Sequence, residues 1–193
     1  NLLVDATTPG LKHMVVDSPL KDTVLSFIRC KLNQSKFHYD DASAKFRRNT
    51  FIQRVLNKVD DKDEQKVLHK DIFFPAIKFW YFPDEVKEEY GPFNFVEADM
   101  VSEKMLDFFY EQSNMIAIDA WDRTRDRSHP EGSMRIFDHE IEDMGYKRTS
   151  VAVKPNTLVI ANVGNFHARG NVTKEWTRNS VHGSIRIDQP FRQ

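Results

Sequence analysis

The chain has 193 residues, 40% apolar and 30% charged, with 15 Phe, one Cys and a formal net charge of −1. That length supplies one domain with its own core, and near-neutral charge excludes a general attraction to nucleic acid or to an anionic membrane surface. The lone Cys30 excludes an intrachain disulfide and fits a reducing compartment, and no apolar run approaches the roughly 20 residues of a membrane span.

The opening residues, NLLVDATTPG, show no basic flank, no apolar block and no initiating Met. They do not read as a signal peptide, so the expected location is cytoplasmic. No repeat, low-complexity tract or Pro/Gly/Ser-rich linker divides the chain. A single domain over 1–193 is expected, with about 1–63 as helical and hairpin support for a core over 64–192.

Along the chain, Leu20, Val24, Phe27, Ile28 and Leu32 recur at helical spacing in SPLKDTVLSFIRCKLN and predict an amphipathic helix. KFRRNTFIQRVLNKV at 45–59 fits either periodicity; with the polar turn DDKD after it, the expectation is a hairpin of 50–59 with 64–70. Continuous apolar, aromatic and β-branched content predicts a buried strand over 72–82, closed by Pro83 and EEYGP. FNFVEAD follows as another short strand. SEKMLDFFYEQS predicts a helix with Ser102 as N-cap and a stripe of Met105, Leu106 and Phe109. DAWDRTRDRSHPEGS at 119–133 reads as a charged loop. TSVAVK, NTLVIANV and NSVHGSIRID then supply three strands. The pattern is mainly β, a sandwich or barrel of the jelly-roll type with flanking α-helices.

Chemistry enters with LHKD. On an extended strand, His69 and Asp71 project from the same face, because side chains alternate. His167 in NFHARG follows the strand TLVIANV, and Arg178 comes eleven residues later. Two histidines and a carboxylate on one face of a metal leave coordination positions open, as in the facial triad of non-haem Fe(II) oxygenases. An arginine behind such a site suits a dicarboxylate, which guanidinium grips with two parallel hydrogen bonds. If 50–59 is a strand, Gln53 and Asn57 share a face and are candidates for the near end of that co-substrate. Lys78 interrupts an apolar strand and must snorkel out or reach an acid. His182 shares the parity of Arg178 and reads as a hydrogen-bonded barrel histidine, and Arg169 as a rim or salt-bridge residue. Trp121, Arg123 and Arg125 belong either to a solvated loop or to a lid that meets a polar or anionic substrate. FDHEIED offers His139, Glu140 and Asp143 without the spacing of a second metal site.

The H-K-D before an aromatic strand, the YGPF after it, and NTLVIANVGNFHARG followed by Arg178 resemble the phytanoyl-CoA dioxygenase family, over about residues 64–192. That family belongs to the Fe(II)/2-oxoglutarate-dependent oxygenases. The resemblance implies a double-stranded β-helix and iron ligation by His69, Asp71 and His167. It also implies O₂ and 2-oxoglutarate as co-substrates, with Arg178 on the distal carboxylate. Ser180 resembles the Arg-x-Ser arrangement of related oxygenases. Many relatives carry a Gly-Ser-His turn where this chain has Glu97 to Met100, so substrate contacts are not carried over from that segment. Halogenating relatives have a small residue in place of the carboxylate; Asp71 fills it, which implies hydroxylation or another oxidation. The expected substrate is a small-molecule metabolite or natural-product intermediate, with no nucleic-acid or membrane partner; the sequence assigns no oligomeric state. Two other readings stand beside it: a cupin-like isomerase or lyase using another divalent metal, and a non-catalytic jelly-roll binding module.

Overall fold

The computed structural model describes residues 2–3, 26, 30, 45–59, 63–71, 76–121 and 134–188. Ser26 and Cys30 are helical, and the rest of the helix expected over 18–33 lies outside the described residues. Among the described residues there are ten strands: β1 Leu2–Leu3, β2 Lys45–Asn57, β3 Leu68–Lys70, β4 Ala76–Phe82, β5 Phe93–Val96, β6 Met134–Ile136, β7 Arg148–Val151, β8 Thr157–Asn162, β9 His167–Arg169 and β10 Trp176–Asp188. Besides the helical Ser26 and Cys30, the described residues include α1 Glu103–Trp121 and α2 Asp138–Asp143, which flank β6 in the chain. Among the described residues no helix is long and apolar enough to cross a membrane.

The strands form two antiparallel five-stranded sheets, ordered β1-β2-β10-β4-β8 and β6-β3-β9-β5-β7. Numbered 1 to 8 in chain order, β2–β5 and β7–β10 run 1-8-3-6 in one sheet and 2-7-4-5 in the other. Successive strands therefore alternate between sheets except at β5 and β7, which pair within one sheet, and this is the jelly roll expected from the strand pattern. The hairpin of 50–59 with 64–70 does not form. β2 pairs along its whole length with β10, while a 3₁₀ turn at Glu64–Lys66 carries the chain over to β3 in the opposite sheet. The polar DDKD marks a reversal, but a turn signal does not say whether the chain stays in one sheet.

The second sheet is apolar on its outer face, where Leu68, Val96, Met134, Ile136, Phe166 and Ala168 pack with Met105 and Phe108 of α1 and Ile141 of α2. Burying each large side chain there contributes about 1.5–3 kcal/mol. The α1 stripe differs from expectation at one position: Leu106 is 51% exposed, and Phe108 takes its place at 5%. Met105 and Phe108 are three apart and lie over one another, whereas Leu106 has rotated off that face. α1 also runs on through 119–121, where a loop was expected. The space between the sheets holds polar side chains beside aromatic ones.

YGPF ties β5 to β9. Gly91 has φ +72°, and a Cβ there would lie 2.8 Å from both the Gly170 carbonyl oxygen and Val172. Next to it, the Gly170 N–H donates to the Pro92 carbonyl at 2.6 Å. Gly91→Ala combines left-handed strain with a backbone clash, so it is expected to cost about 2–4 kcal/mol. The measurement is urea unfolding followed by circular dichroism. Arg148 of β7 adds a polar clamp: Nε donates to Asn94 Oδ1 at 2.7 Å, and Nη2 to the carbonyls of Lys66 and Arg169 at 3.1 Å each.

Candidate metal centre

β3 sets the site by alternation. His69 faces the inter-sheet cavity, while Lys70 turns to the other face, its ammonium 4.9 Å from the Phe109 ring centre. Asp71 follows as the strand ends, its N–H donating to the Val163 carbonyl at 3.3 Å. His69 and His167 are direct cross-strand partners of β3 and β9, with ring centres 4.5 Å apart. His69 Nε2 lies 3.7 Å from Asp71 Oδ1, and His167 Nε2 lies 3.8 Å from Asp71 Oδ2. One ligand atom from each of the three fits within 4.8 Å of the others.

Backbone carbonyls orient both rings. His69 Nδ1 is 2.8 Å from the Val67 oxygen, and His167 Nδ1 is 3.1 Å from the Asn165 oxygen. Each Nδ1–H donates outward, leaving the Nε2 lone pair aimed at the shared centre, the usual support for a metal-binding imidazole. Two neutral nitrogens and one carboxylate suit a divalent first-row metal with open positions.

Electrostatics favour the deprotonated donors. Burial lowers the pKa of His69, and burial with His69 alongside takes His167 down to about 4. Burial pushes the Asp71 carboxyl up, but the charge and hydrogen bond of Lys78 more than reverse it, so the carboxyl lies below its ordinary range. Lys78 Nζ is in direct contact with Asp71 Oδ2. A histidine whose folded pKa is depressed takes up protons more readily when unfolded, so its contribution is present above 6.5 and lost as pH falls through about 4. His167 alone is expected to cost the metal-free protein about 3 kcal/mol over that window. Chemical unfolding at pH 7 and pH 4 measures it; equal stabilities would contradict buried neutral imidazoles.

The cavity beside these residues encloses about 170 Å³ and draws lining from both sheets, including Lys78, Trp80 and Phe82 of β4, Phe93 of β5 and Arg169 of β9. From β10 come Arg178 and His182, which with Ser180 share one face because they are two residues apart. Ser180 is opposite Gln53 in the β2–β10 ladder, and Arg178 is opposite Val55. Gln53 lines the cavity. Asn57 does not: its Nδ2 donates to the Tyr90 carbonyl at 3.0 Å, and its Oδ1 is buried without a partner.

Arg178 is 6% exposed, and burial, with Arg169 adding and Asp63 opposing, pushes its guanidinium down to about 9. Arg178 Nε, Ser180 Oγ and His182 Nε2 are buried without a hydrogen-bond partner. Three such atoms on one strand face make a wall prepared for a polar ligand. Arg169 is instead paired with Asp63 at 2.5 Å. Trp121 is the last residue of α1, and Arg123 and Arg125 lie outside the described residues. Trp80, Phe82, Phe93 and Gln65 were not singled out from the sequence. The parity of β4 carries a signal for two of them, since Trp80 and Phe82 share the face of Lys78.

No family model matches the chain. No curated protein matches it. Among solved structures, it is similar to the epimerase SnoN in complex with Fe³⁺, alpha ketoglutarate and nogalamycin RO, at 18% identity and TM-score 0.44, over 86% of this chain and 59% of that one. It is similar to HygX from Streptomyces hygroscopicus with iron bound, at 14% identity and TM-score 0.39, over 85% and 77%. EvdO2 from Micromonospora carbonacea var. aurantiaca is similar at 13% identity and TM-score 0.36, over 95% and 66%. The chain thus spans about three fifths of the length of SnoN.

Proposed function

We propose that the protein is an Fe(II)- and 2-oxoglutarate-dependent oxygenase of the phytanoyl-CoA dioxygenase type. It hydroxylates, or otherwise oxidises, a small cytoplasmic metabolite or natural-product intermediate. The observation that carries this reading is the convergence of His69, Asp71 and His167, whose two imidazoles line a cavity that also holds the buried, incompletely partnered Arg178. The donor set fits ferrous iron, and the buried guanidinium of Arg178 fits the far carboxylate of a diacid.

Iron with 2-oxoglutarate and O₂ would supply decarboxylation to CO₂ and succinate, coupled to oxidation of a substrate C–H bond. The chain's own part is geometric and electrostatic. His69 and His167, fixed through their Nδ1–H bonds, offer two lone pairs without proton competition at neutral pH. Asp71 supplies the anionic donor. Arg178 and Ser180 offer donors for the distal carboxylate, two atoms unpartnered within the fold. Trp80, Phe82 and Phe93 line the cavity with aromatic surface that excludes water. Arg178 favours this reading over a cupin-like isomerase, which requires no diacid anchor.

Anaerobic addition of Fe(II) and 2-oxoglutarate is the test. A visible metal-to-ligand charge-transfer band is expected, followed by substrate-dependent succinate formation in air. No band at saturating metal and 2-oxoglutarate would overturn the proposal.

A further inference from the structure

Lys78 is the least expected member of the cavity wall. A lysine in the middle of β4, between Ile77 and Phe79, 2% and 5% exposed, gives up packing to place an ammonium inside the sandwich. It reaches Asp71, the carboxylate that the proposed metal requires. Among the described residues, Asp71 is the one carboxylate with which Lys78 forms an ion pair. His167 Nε2 faces the same Asp71 oxygen that Lys78 contacts, so a divalent ion between the two imidazoles would compete with Lys78 for Oδ2 and, on taking it, leave an ammonium, 31% exposed, at the metal end of the cavity.

A second group waits nearby. His182 Nε2 is buried and unpartnered, and its ring stacks on Phe51 at 5.3 Å, which holds its orientation. His182 is opposite Trp80 across the β10–β4 ladder, and Ser184 is opposite Lys78. Lys78 and His182 therefore stand diagonally on the same inward face. Their charges interact: burial first, then Lys78 and Arg178, lower the His182 pKa and keep its ring neutral. A neutral imidazole protonated at Nε2 donates one hydrogen bond, and a displaced ammonium donates up to three. Arg178 lies four residues back along β10, about 13 Å at a rise of ~3.3 Å per residue, so the two groups of donors belong to different ends of the cavity wall.

We propose that Lys78 and His182 form a second carboxylate subsite, separate from the one at Arg178, which opens when a divalent ion takes Asp71 from Lys78. The inference rests on the metal-centre reading above. The ligand is an oxyanion of carboxylate type, either the near carboxylate of the co-substrate or one carried by the organic substrate. Metal and anion binding are then coupled: the metal frees the ammonium, and the anion holds it away from Asp71.

Calorimetry with Ni(II), which is redox-inert, tests both halves. Lys78→Met is expected to bind Ni(II) about fivefold more tightly than the wild type, because no internal cation must be displaced. In Ni(II)-loaded protein, 2-oxoglutarate and, with 2-oxoglutarate present, hexanoate are titrated into the wild type, Lys78→Met and His182→Phe, with hexanol as the uncharged control. A tenfold or greater loss of 2-oxoglutarate affinity in both variants supports the subsite and assigns it to the co-substrate. Unchanged 2-oxoglutarate affinity with a similar loss for hexanoate, but not hexanol, supports it and assigns it to the substrate. Affinities within twofold of wild type for both acids overturn it. Acetic anhydride labelling of the wild type, read by mass spectrometry, needs no variant. Labelling of Lys78 should rise several-fold with Ni(II) and fall again when the bound acid is added, and labelling indifferent to Ni(II) overturns the proposal. Failure of Ni(II) to bind the wild type at all would instead remove the metal-centre reading.

Discussion

Asp71→Ala is expected to abolish metal binding while leaving the fold intact. The carboxylate contributes both oxygens that face the two imidazoles, at 3.7 Å and 3.8 Å. Without it the chain offers two neutral nitrogens and an ammonium, and Lys78 then repels any divalent ion from close range. Loss of a supporting contact already costs a metal site 10- to 100-fold, so loss of a ligand should exceed about 100-fold. The structural cost runs much lower. Asp71 is 24% exposed and Lys78 31%, and a partly solvated pair contributes on the order of 1 kcal/mol. The expected result is a protein that unfolds within a few degrees of wild type, gives no charge-transfer band and forms no succinate. Calorimetry with Fe(II) under anaerobic conditions and a thermal melt read the two effects separately. Retained metal affinity would show that the triad is not the site.

The parts of this centre differ in how far the sequence exposed them. His69 and Asp71 were legible as a pair because a strand has a period of two, and the apolar run beyond them marked a strand. His167 and Arg178 were legible by their place after one strand and within the next. That His69 and His167 face each other across β3 and β9 was carried by the family resemblance alone, since register between distant strands leaves no local trace. The same limit explains the hairpin that does not form. The 45–57 stretch alternates well enough for a strand, but its partner is β10 at the far end of the chain. In a jelly roll the neighbours in space are mostly not neighbours in sequence, and turn chemistry cannot supply that information. Leu106 failed for a different reason. Met105, Leu106, Phe108 and Phe109 satisfy two overlapping helical stripes, and the contact with Phe166, at 6.1 Å from Phe108 and 6.2 Å from Phe109, chose between them. For Lys78 the two options, solvent or an acid, were both visible, but naming Asp71 as the acid needed the approach of β4 to the end of β3.

Arg178→Met should move stability and ligand affinity in opposite directions. In the ligand-free fold the guanidinium is 6% exposed, is pushed down to about 9 by burial, and has Nε unpartnered. Such a charge costs folding free energy that packing alone does not return. Methionine has similar reach, no charge and a flexible chain suited to irregular gaps. The variant is therefore expected to be at least as stable as wild type, by about 1–3 kcal/mol on the favourable side. Its affinity for 2-oxoglutarate should fall about 100-fold or more, because the far carboxylate loses a buried charge-assisted partner worth 2–5 kcal/mol. A 2-oxo acid without that carboxylate, 2-oxobutyrate, separates anchoring from general damage. It should bind the Ni(II)-loaded wild type and Arg178→Met with affinities within about threefold, since neither complex uses the guanidinium. Unfolding in urea gives the stability term and calorimetry the two affinities. A variant that is destabilised yet keeps its preference for the diacid would mean that Arg178 supports the β2–β10 ladder and not the co-substrate.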